Sequence, residues 1–325
     1  MTTRPVRVGV IGTGALGYHH ARLFRKMDGA QLMGIYDHNA ERAAQVAREL
    51  DTVAHPTLAA LLELVEAASV VVPTPAHTAV GLAVLERGIS ALIEKPLADS
   101  REGAAQLVAK ARATGARLQV GHVERFNRAV RAAAPYLAEP RFLQCDRLAP
   151  FNVRGSDVAV VLDLMIHDLD LILELVGAPV SDVRATGAAL LTPHVDIANA
   201  RVEFANGAVA IVTASRISRE RTRKLRIFQP TGYFSLDLAQ GTGHFYRLKP
   251  GWQALGAKRI EDVVEHVKLD APEAEPLKLE LESFLRAVRG EAEVVVSGEA
   301  GAEALALATR VADAIQASPL AAVRP

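Results

Sequence analysis

The stretch VRVGVIGTGALGYHHARLF, Val6 to Phe24, decides the fold class of this chain. It reads as a short apolar strand, a turn with glycines at positions 12, 14 and 17, and a segment with helical spacing of apolar residues. Gly12 allows the tight turn, Gly14 lets a pyrophosphate approach the backbone, and Gly17 lets helix and strand pack closely. The pattern predicts a dinucleotide held at the N-terminus of the first helix. The alternative is a glycine turn with a purely structural role.

An acidic residue follows this turn at the end of the second predicted strand, QLMGIYD. The carboxylate of Asp37 is placed to accept both hydroxyls of the adenosine ribose and to repel a 2'-phosphate, which favours NAD over NADP. His38 and Arg42 weaken this preference, because a cation there accommodates phosphate. The predicted cofactor contacts in this region are Gly12, Gly14, Ala15, Leu16, Gly17, Asp37 and Arg42.

Strand and helix segments continue to alternate up to residue 121. ASVVVPTP, SALIEKP and RLQVGH read as strands, and segments such as DSREGAAQLVAKARATG between them read as helices. This alternation predicts a parallel, doubly wound sheet, with six strands expected by Gly121.

The rest of the chain has a different pattern, with eight strand-like segments and few helices between them. Asn206-Gly207 separates two of these segments and is a strong hairpin signal. Helices return near the C-terminus, at PLKLELESFLRAVRG and AEALALATRVADAIQAS. We predict an α/β fold with a Rossmann domain at 1–121. Residues 122–325 are expected to form a substrate-binding and oligomerisation domain with an open, mostly antiparallel sheet, whose last helix packs back on the first domain.

Composition limits the class of protein. A chain of 325 residues is long enough for two domains. Lys+Arg and Asp+Glu balance at 37 each, so no global basic field favours nucleic acid or an anionic membrane. The single Cys145 suggests a reducing compartment, and neither a long apolar run nor a signal-peptide pattern is evident. We expect a soluble, cytoplasmic protein.

Two polar positions in apolar surroundings are candidates for chemistry. Lys95 follows the strand SALIEKP at the edge where open α/β sheets bind ligands, and Glu94 is placed to tether it; the alternative is a surface lysine. In LDLMIHDLDLIL, Leu162 to Leu173, a helix would stack Asp163, His167 and Asp170 on one face. This stripe is either an acid/base site or a core histidine held by a carboxylate.

Several motifs along the chain resemble the glucose-fructose oxidoreductase and inositol dehydrogenase family, Gfo/Idh/MocA. They are VGVIGTGALGYHHARLF, PTPAHTAV, EKPLADS, VGHVERFN, DLMIHDLDLI and PLKLELESFLRAVRGEAEVVVSGEAGAEALALA. The resemblance implies oxidation of a sugar hydroxyl, homodimers or homotetramers, and Lys95, Asp163 and His167 lining the nicotinamide and the sugar. It also implies that Pro73, Thr74, His77, Glu94 and Lys95 contact the cofactor.

Oxidation of a secondary alcohol needs a base for the hydroxyl proton, and the near-neutral imidazole of His167 suits that task. Asp163 would hold a substrate hydroxyl or orient the imidazole, and Lys95 would lower the pKa of the reacting alcohol. Asp168 and Asp170 are expected to be structural, for example paired with arginines.

Within the family, VGHVERFNRAV and RLAPFNVRGSDVAVVLDLMIHDLDLI look most similar to nucleotide-sugar dehydrogenases, which implies UDP-N-acetylglucosamine oxidised at C3 as substrate. ERFNR departs from the ERFNP expected there. Arginines suited to a diphosphate support this interpretation, although they could equally be solvated surface charge. The predicted substrate contacts are Lys95, Arg125, Asn127, Arg147, Arg154, Asp163 and His167.

Other functions fit parts of the sequence. They are a polyol, inositol or other sugar dehydrogenase, a non-catalytic dinucleotide sensor, and a reductase of an imine or a tetrapyrrole. Intact Lys95, Asp163 and His167 argue against the sensor, because binding alone needs no base. The histidines are scattered, so no metal site is expected, and His19 and His20 are interpreted as packing near the cofactor loop.

Overall fold

The computed structural model describes residues 4–153, 155, 158–254 and 259–317, and these form two compact units. One unit takes the described residues within Met1–Val123 and Glu275–Leu305. The other takes those within Glu124–Ala274 and Ala306–Pro325. The proposed limits at 121 and 122 stay a prediction.

The first unit contains a parallel sheet with intervening helices. Its elements are β1 (Val6–Ile11), α1 (Ala15–Phe24), β2 (Ala30–Tyr36), α2 (Ala40–Leu50), α3 (Leu58–Leu62), β3 (Ala67–Val70), α4 (His77–Leu85), β4 (Ser90–Glu94), α5 (Arg101–Thr114) and β5 (Leu118–Gly121). The strand order is β2-β1-β3-β4-β5, and every pair is parallel. This is the predicted doubly wound fold.

The expectation of six strands in this region was wrong. The described residues up to Gly121 contain five strands. The chain between α2 and α3 makes one isolated bridge, from Ala54 to Ile35. One bridged pair does not constitute a strand of the sheet.

The first unit also includes a helix from the C-terminal part of the chain. This helix, α9 (Pro276–Val288), contributes Leu281, Phe284 and Leu285 to the core that contains Val8 of β1 and Phe24 of α1. Burial of its apolar stripe, rather than helix propensity alone, holds α9 in place.

The second unit is built on an eight-stranded sheet, and all eight predicted strand segments are found. Its elements are α6 (Arg128–Ala133), β6 (Phe142–Leu148), α7 (Ile166–Val176), β7 (Val180–Ala188), β8 (Ile197–Phe204), β9 (Val209–Ser215), β10 (Thr222–Gln229), β11 (Gly232–Asp237), β12 (Thr242–Leu248), α8 (Ile260–Val263) and β13 (Val264–Leu269). The order is β13-β12-β11-β10-β6-β9-β8-β7. Only the β6–β9 pair is parallel among these described strands, as expected for a mostly antiparallel sheet.

The predicted hairpin at Asn206-Gly207 joins β8 and β9. Gly207 has a φ of 82°, which a glycine adopts without steric cost. Burial alternates along β8 and β9, so one face of the sheet packs against the interior and the other faces outward.

The last helix in the described part of the chain is α10 (Gly298–Gln316). None of the helices in the described ranges has the length and apolar character needed to span a bilayer.

Candidate active site

The glycine turn after β1 has the shape that a bound dinucleotide requires. A Cβ on Gly12 would lie 2.5 Å from the carbonyl oxygen of Val71, and one on Gly17 would lie 1.9 Å from the carbonyl oxygen of Gly12. No atom lies within 4 Å of the Cβ position of Gly14. The first and third glycines are therefore required by packing, whereas the second leaves open space for a ligand.

The residues after the turn are accessible to such a ligand. Gly14 and Ala15 are exposed, and Leu16 is half-buried. The N-terminus of α1 carries no side-chain cap from any described residue. Its backbone N–H groups and the helix dipole are suited to an anion, so the turn fits a pyrophosphate.

Asp37 lies at the carboxyl end of β2 and is bonded to the glycine turn. Its Oδ2 accepts hydrogen bonds from the backbone N–H of Thr13 (2.6 Å) and from the Thr13 hydroxyl (2.8 Å), and its Oδ1 accepts one from Asn39 (2.9 Å). Burial raises the pKa of Asp37, but these hydrogen bonds and His38 outweigh it and lower the pKa below 3.8. The carboxylate is thus ionised and oriented, and its contact with the ribose hydroxyls stays a prediction.

Arg42 lies beside this carboxylate. Its Nε donates to the carbonyl oxygen of Thr13 at 3.0 Å, and its Nη1 donates to Gln45 at 3.1 Å. The side chain is thus bonded to the glycine turn, and its contact with the cofactor stays a prediction.

The turn after β3 contains three further predicted cofactor contacts. Pro73 is exposed and Thr74 is half-buried in a short 3-10 helix, so both are accessible. His77 is only 1% exposed, and its ring nitrogens lie 2.8 Å from the carbonyl oxygen of Pro96 and 2.9 Å from that of Val72. The prediction for His77 is corrected: its ring joins two loops instead of facing a cofactor.

Glu94 and Lys95 lie at the carboxyl end of β4. Glu94 is 8% exposed, and its Oε2 accepts a hydrogen bond from the backbone N–H of Lys95 at 3.3 Å. Glu94 therefore contacts the backbone of Lys95, and a tether to the Lys95 ammonium stays a prediction. The Glu94 carboxylate lies mostly inside the unit, and its direct contact with the cofactor stays a prediction. Lys95 is half-buried.

The segment with Asp163 and His167 is not one regular α-helix. Val161–Met165 forms a π-helical turn in which the N–H of Ile166 donates to the carbonyl of Val161, and α7 begins at Ile166. Such π turns are frequent at functional sites. Asp163 and His167 are both half-buried. A Cβ on Gly155 would lie 2.8 Å from Oδ2 of Asp163, so the lack of a side chain at Gly155 lets its backbone lie close to the carboxylate.

The predicted polar stripe does not extend to Asp170. Asp170 is fully buried and accepts two hydrogen bonds from Arg125, at 2.7 and 2.8 Å. Asp168 is 3% exposed and accepts two from Arg147, also at 2.7 and 2.8 Å. Both aspartates are structural partners of arginines, as expected.

The same contacts correct the predicted substrate roles of Arg125 and Arg147. Arg147 also donates to Glu124 at 2.9 Å, and Arg125 also pairs with Glu174. Their side chains are only 4% and 6% exposed, respectively, so neither is surface charge and neither presents its guanidinium to a diphosphate.

Asn127 is another predicted substrate contact that the structure places in the interior. Its Nδ2 donates to Glu124 (2.9 Å) and to the carbonyl of Leu238 (2.8 Å), and its Oδ1 caps α6 by accepting from the N–H of Ala129 (3.0 Å). All its polar atoms serve the fold, so its prediction as a substrate contact is corrected. Arg154 lies outside the described residues.

The comparisons with known proteins agree with these geometries. The model of the NAD-binding Rossmann fold of the Gfo/Idh/MocA oxidoreductase family matches residues 6–122, and the model of its C-terminal alpha/beta domain matches 153–321. The chain belongs to this family and is an NAD-binding oxidoreductase.

Individual relatives are similar over different lengths. UDP-N-acetylglucosamine 3-dehydrogenase from Acidithiobacillus ferrooxidans is 42% identical over 318 residues, which cover 96% of this chain and 98% of the relative. A solved structure of that dehydrogenase superposes with a TM-score of 0.89 at 39% identity, and covers 97% of this chain and 99% of its own. The scyllo-inositol 2-dehydrogenase (NAD(+)) of Bacillus subtilis is 32% identical, and the match covers 66% of this chain and 68% of the relative.

Proposed function

We propose that this protein oxidises a secondary alcohol of a nucleotide sugar with NAD, and that the substrate is UDP-N-acetylglucosamine oxidised at C3. The observation that carries the proposal is the 42% identity to UDP-N-acetylglucosamine 3-dehydrogenase over 96% of the chain. The match to an inositol dehydrogenase is weaker and covers only 66% of the chain.

The proposed chemistry assigns one task to each of three side chains. NAD, when bound, supplies the acceptor for the hydride that leaves the carbinol carbon. The imidazole of His167 takes the hydroxyl proton as general base. The ammonium of Lys95 stabilises the negative charge that develops on the substrate oxygen. Asp163 holds a neighbouring hydroxyl or orients the imidazole.

Recognition of the diphosphate is proposed for Arg154 rather than for the buried arginines. Arg125 and Arg147 are paired with carboxylates in the interior. Arg154 is the remaining predicted candidate, and arginine is suited to bidentate contact with phosphate.

A substrate screen tests the proposal. Purified protein is incubated with NAD and with UDP-N-acetylglucosamine, UDP-glucose, UDP-N-acetylgalactosamine, free N-acetylglucosamine and myo-inositol, and NADH absorbance is followed. We expect turnover with UDP-N-acetylglucosamine and little with the free sugar. Preference for myo-inositol would support the polyol dehydrogenase, and NAD binding without turnover of any sugar would support the sensor.

We also propose that the protein assembles into dimers or tetramers through the outward face of the eight-stranded sheet. An aromatic ladder crosses this face: each of five neighbouring strands contributes one ring, and each ring lies directly opposite the ring on the next strand. Its members are Phe142, Phe228, Tyr233, Tyr246 and His266, with successive ring centroids 5.9, 5.3, 4.7 and 5.0 Å apart. A contiguous aromatic patch of this kind is typical of an association surface.

The proposed cellular location is the cytoplasm. The support is the cysteine content: Cys145 is buried and unpaired, as is usual in a reducing compartment.

A further inference from the structure

A chain of three buried polar side chains runs through the first unit towards Lys95. Ser69 lies on β3, His20 on α1, and Glu94 at the end of β4. The Oγ of Ser69 lies 2.7 Å from Nδ1 of His20, a hydrogen-bond distance, and Nε2 of His20 lies 3.2 Å from Oε1 of Glu94, a close contact without hydrogen-bond geometry. Ser69 and His20 are fully buried.

The order of these groups is that of a serine hydrolase triad, but burial excludes that chemistry. A nucleophile must reach its substrate, and Ser69 has no exposed surface. The three residues can therefore only position one another and the Lys95 amide that Glu94 contacts. The ring of His20 lies against the Glu94 carboxylate at 3.2 Å, so it limits the positions that the buried carboxylate can take.

Glu94 is confined from a second side by Gly121 at the end of β5. A Cβ on Gly121 would lie 2.7 Å from both Cδ and Oε1 of the Glu94 carboxyl group. The absence of a side chain at this position therefore makes room for the carboxylate. Its other oxygen, Oε2, accepts the hydrogen bond from the Lys95 amide.

We infer that His20 is a positioning residue: oriented by Ser69, it holds the Glu94 carboxylate over Gly121, and Glu94 in turn sets the backbone from which Lys95 extends. This inference rests on the proposed function of Lys95. Its physical importance follows from geometry, because a displacement of about 1 Å in a catalytic group can reduce a rate by about a hundredfold.

Three variants interrupt the chain at different links. His20→Leu removes both ring nitrogens, Ser69→Ala removes only the hydroxyl that orients the ring, and Gly121→Ala displaces the carboxylate without removing a polar group. His20→Gln is the conservative variant, because its terminal amide retains a polar group near the position of Nε2. His19→Gln is the matched control, since His19 is the exposed neighbour on the same helix.

The first readout does not depend on activity. Hydrogen exchange of the Lys95 amide, followed by NMR, should accelerate in His20→Leu and Gly121→Ala, accelerate less in Ser69→Ala, and stay unchanged in His19→Gln. Unchanged exchange in Gly121→Ala and Ser69→Ala, even if His20→Leu fails to fold, would overturn the inference.

The second readout is turnover of the substrate found in the screen. We expect kcat to fall about tenfold or more in His20→Leu and Gly121→Ala, with partial recovery in His20→Gln and with Kd for NAD within about twofold of the unmodified protein. A lower Tm with unchanged kcat would show that His20 serves only stability and would overturn the inference. If the unmodified protein oxidises no sugar, the proposed function fails, while amide exchange still decides whether the chain sets Lys95.

Discussion

Arg147 and Asp168 form a buried ion pair with two parallel hydrogen bonds. Asp168 is the residue that immediately follows His167 in the chain. Both side chains are 4% exposed. Burial lowers the pKa of Arg147, but the carboxylates of Asp168 and Glu124 outweigh it and hold this pKa above its ordinary value. Burial raises the pKa of Asp168 more than Arg147 lowers it, so the hydrogen bonds of the pair offset its desolvation cost only in part. The pair joins β6 to the first turn of α7.

We expect Arg147→Met to lower the free energy of unfolding by about 3 to 5 kcal/mol, because Asp168 and Glu124 would stay buried without their shared cation. Urea denaturation measures this loss. Arg247→Met is the control: Arg247 pairs with Glu265 at the surface, where such pairs contribute about 0 to 1 kcal/mol. Equal losses in the two variants would contradict a special role for the buried pair.

His167→Ala should leave NAD affinity nearly unchanged, since the glycine turn and Asp37 are predicted to hold the dinucleotide. Turnover should fall by about a hundredfold or more, the usual scale for loss of a general base. Tm, NAD affinity and turnover are measured on one preparation. Near-normal turnover in a less stable variant would remove His167 from the catalytic set.

Asp37→Ala should reduce the preference for NAD over NADP, because the carboxylate that would repel a 2'-phosphate is lost. Thr13 also loses two hydrogen bonds to it, so we expect weaker NAD binding as well as narrower discrimination. Titration of both cofactors against intrinsic fluorescence gives the two affinities. Equal affinities in the unmodified protein would show that Asp37 does not select the cofactor.

Asp37 should also contribute to the acid stability of the first unit. Its folded pKa is lowered below 3.8, so its stabilising effect is present above the unfolded pKa and is lost as the pH falls through the folded value. Asp37→Asn should therefore show a smaller decrease in Tm than the unmodified protein between about pH 5 and pH 2. Asp51→Asn, at an exposed aspartate with no such bonds to the glycine turn, is the control. Parallel curves of Tm against pH for the unmodified protein and both variants would contradict a contribution of Asp37 to acid stability.

Tyr246→Glu should dissociate the proposed oligomer, because it puts a charge in the middle of the aromatic ladder. Light scattering at micromolar concentration should give a multiple of 34.7 kDa for the unmodified protein and a smaller mass for the variant. Val53→Glu, at an exposed apolar residue of the first unit, should leave the mass unchanged. A monomer before substitution would refute the proposed assembly.

Local patterns in the sequence were sufficient for the type of each sheet and for all eight strands of the second, although they gave one strand too many for the first. The glycine turn from Gly12 to Gly17, the hairpin at Asn206-Gly207 and the eight strand segments all depend on neighbours close in the chain, where backbone conformation and hydrophobic periodicity act directly. The π turn before α7 carried no such local signal, and its i→i+5 bonding changes the spacing between Asp163 and His167 from that of an α-helix.

The sequence by itself determined the fold class and the family, and it predicted the candidate catalytic groups. Only the tertiary structure decided which of the remaining polar residues are buried and which partner each of them binds. Arg147 and Asp168 are 21 residues apart and Arg125 and Asp170 are 45 apart, and a sequence shows no sign of which carboxylate each arginine meets. The same guanidinium binds a phosphate, stays solvated or closes a buried ion pair according to its surroundings, because desolvation and partner geometry, rather than residue type, set the balance between these three outcomes.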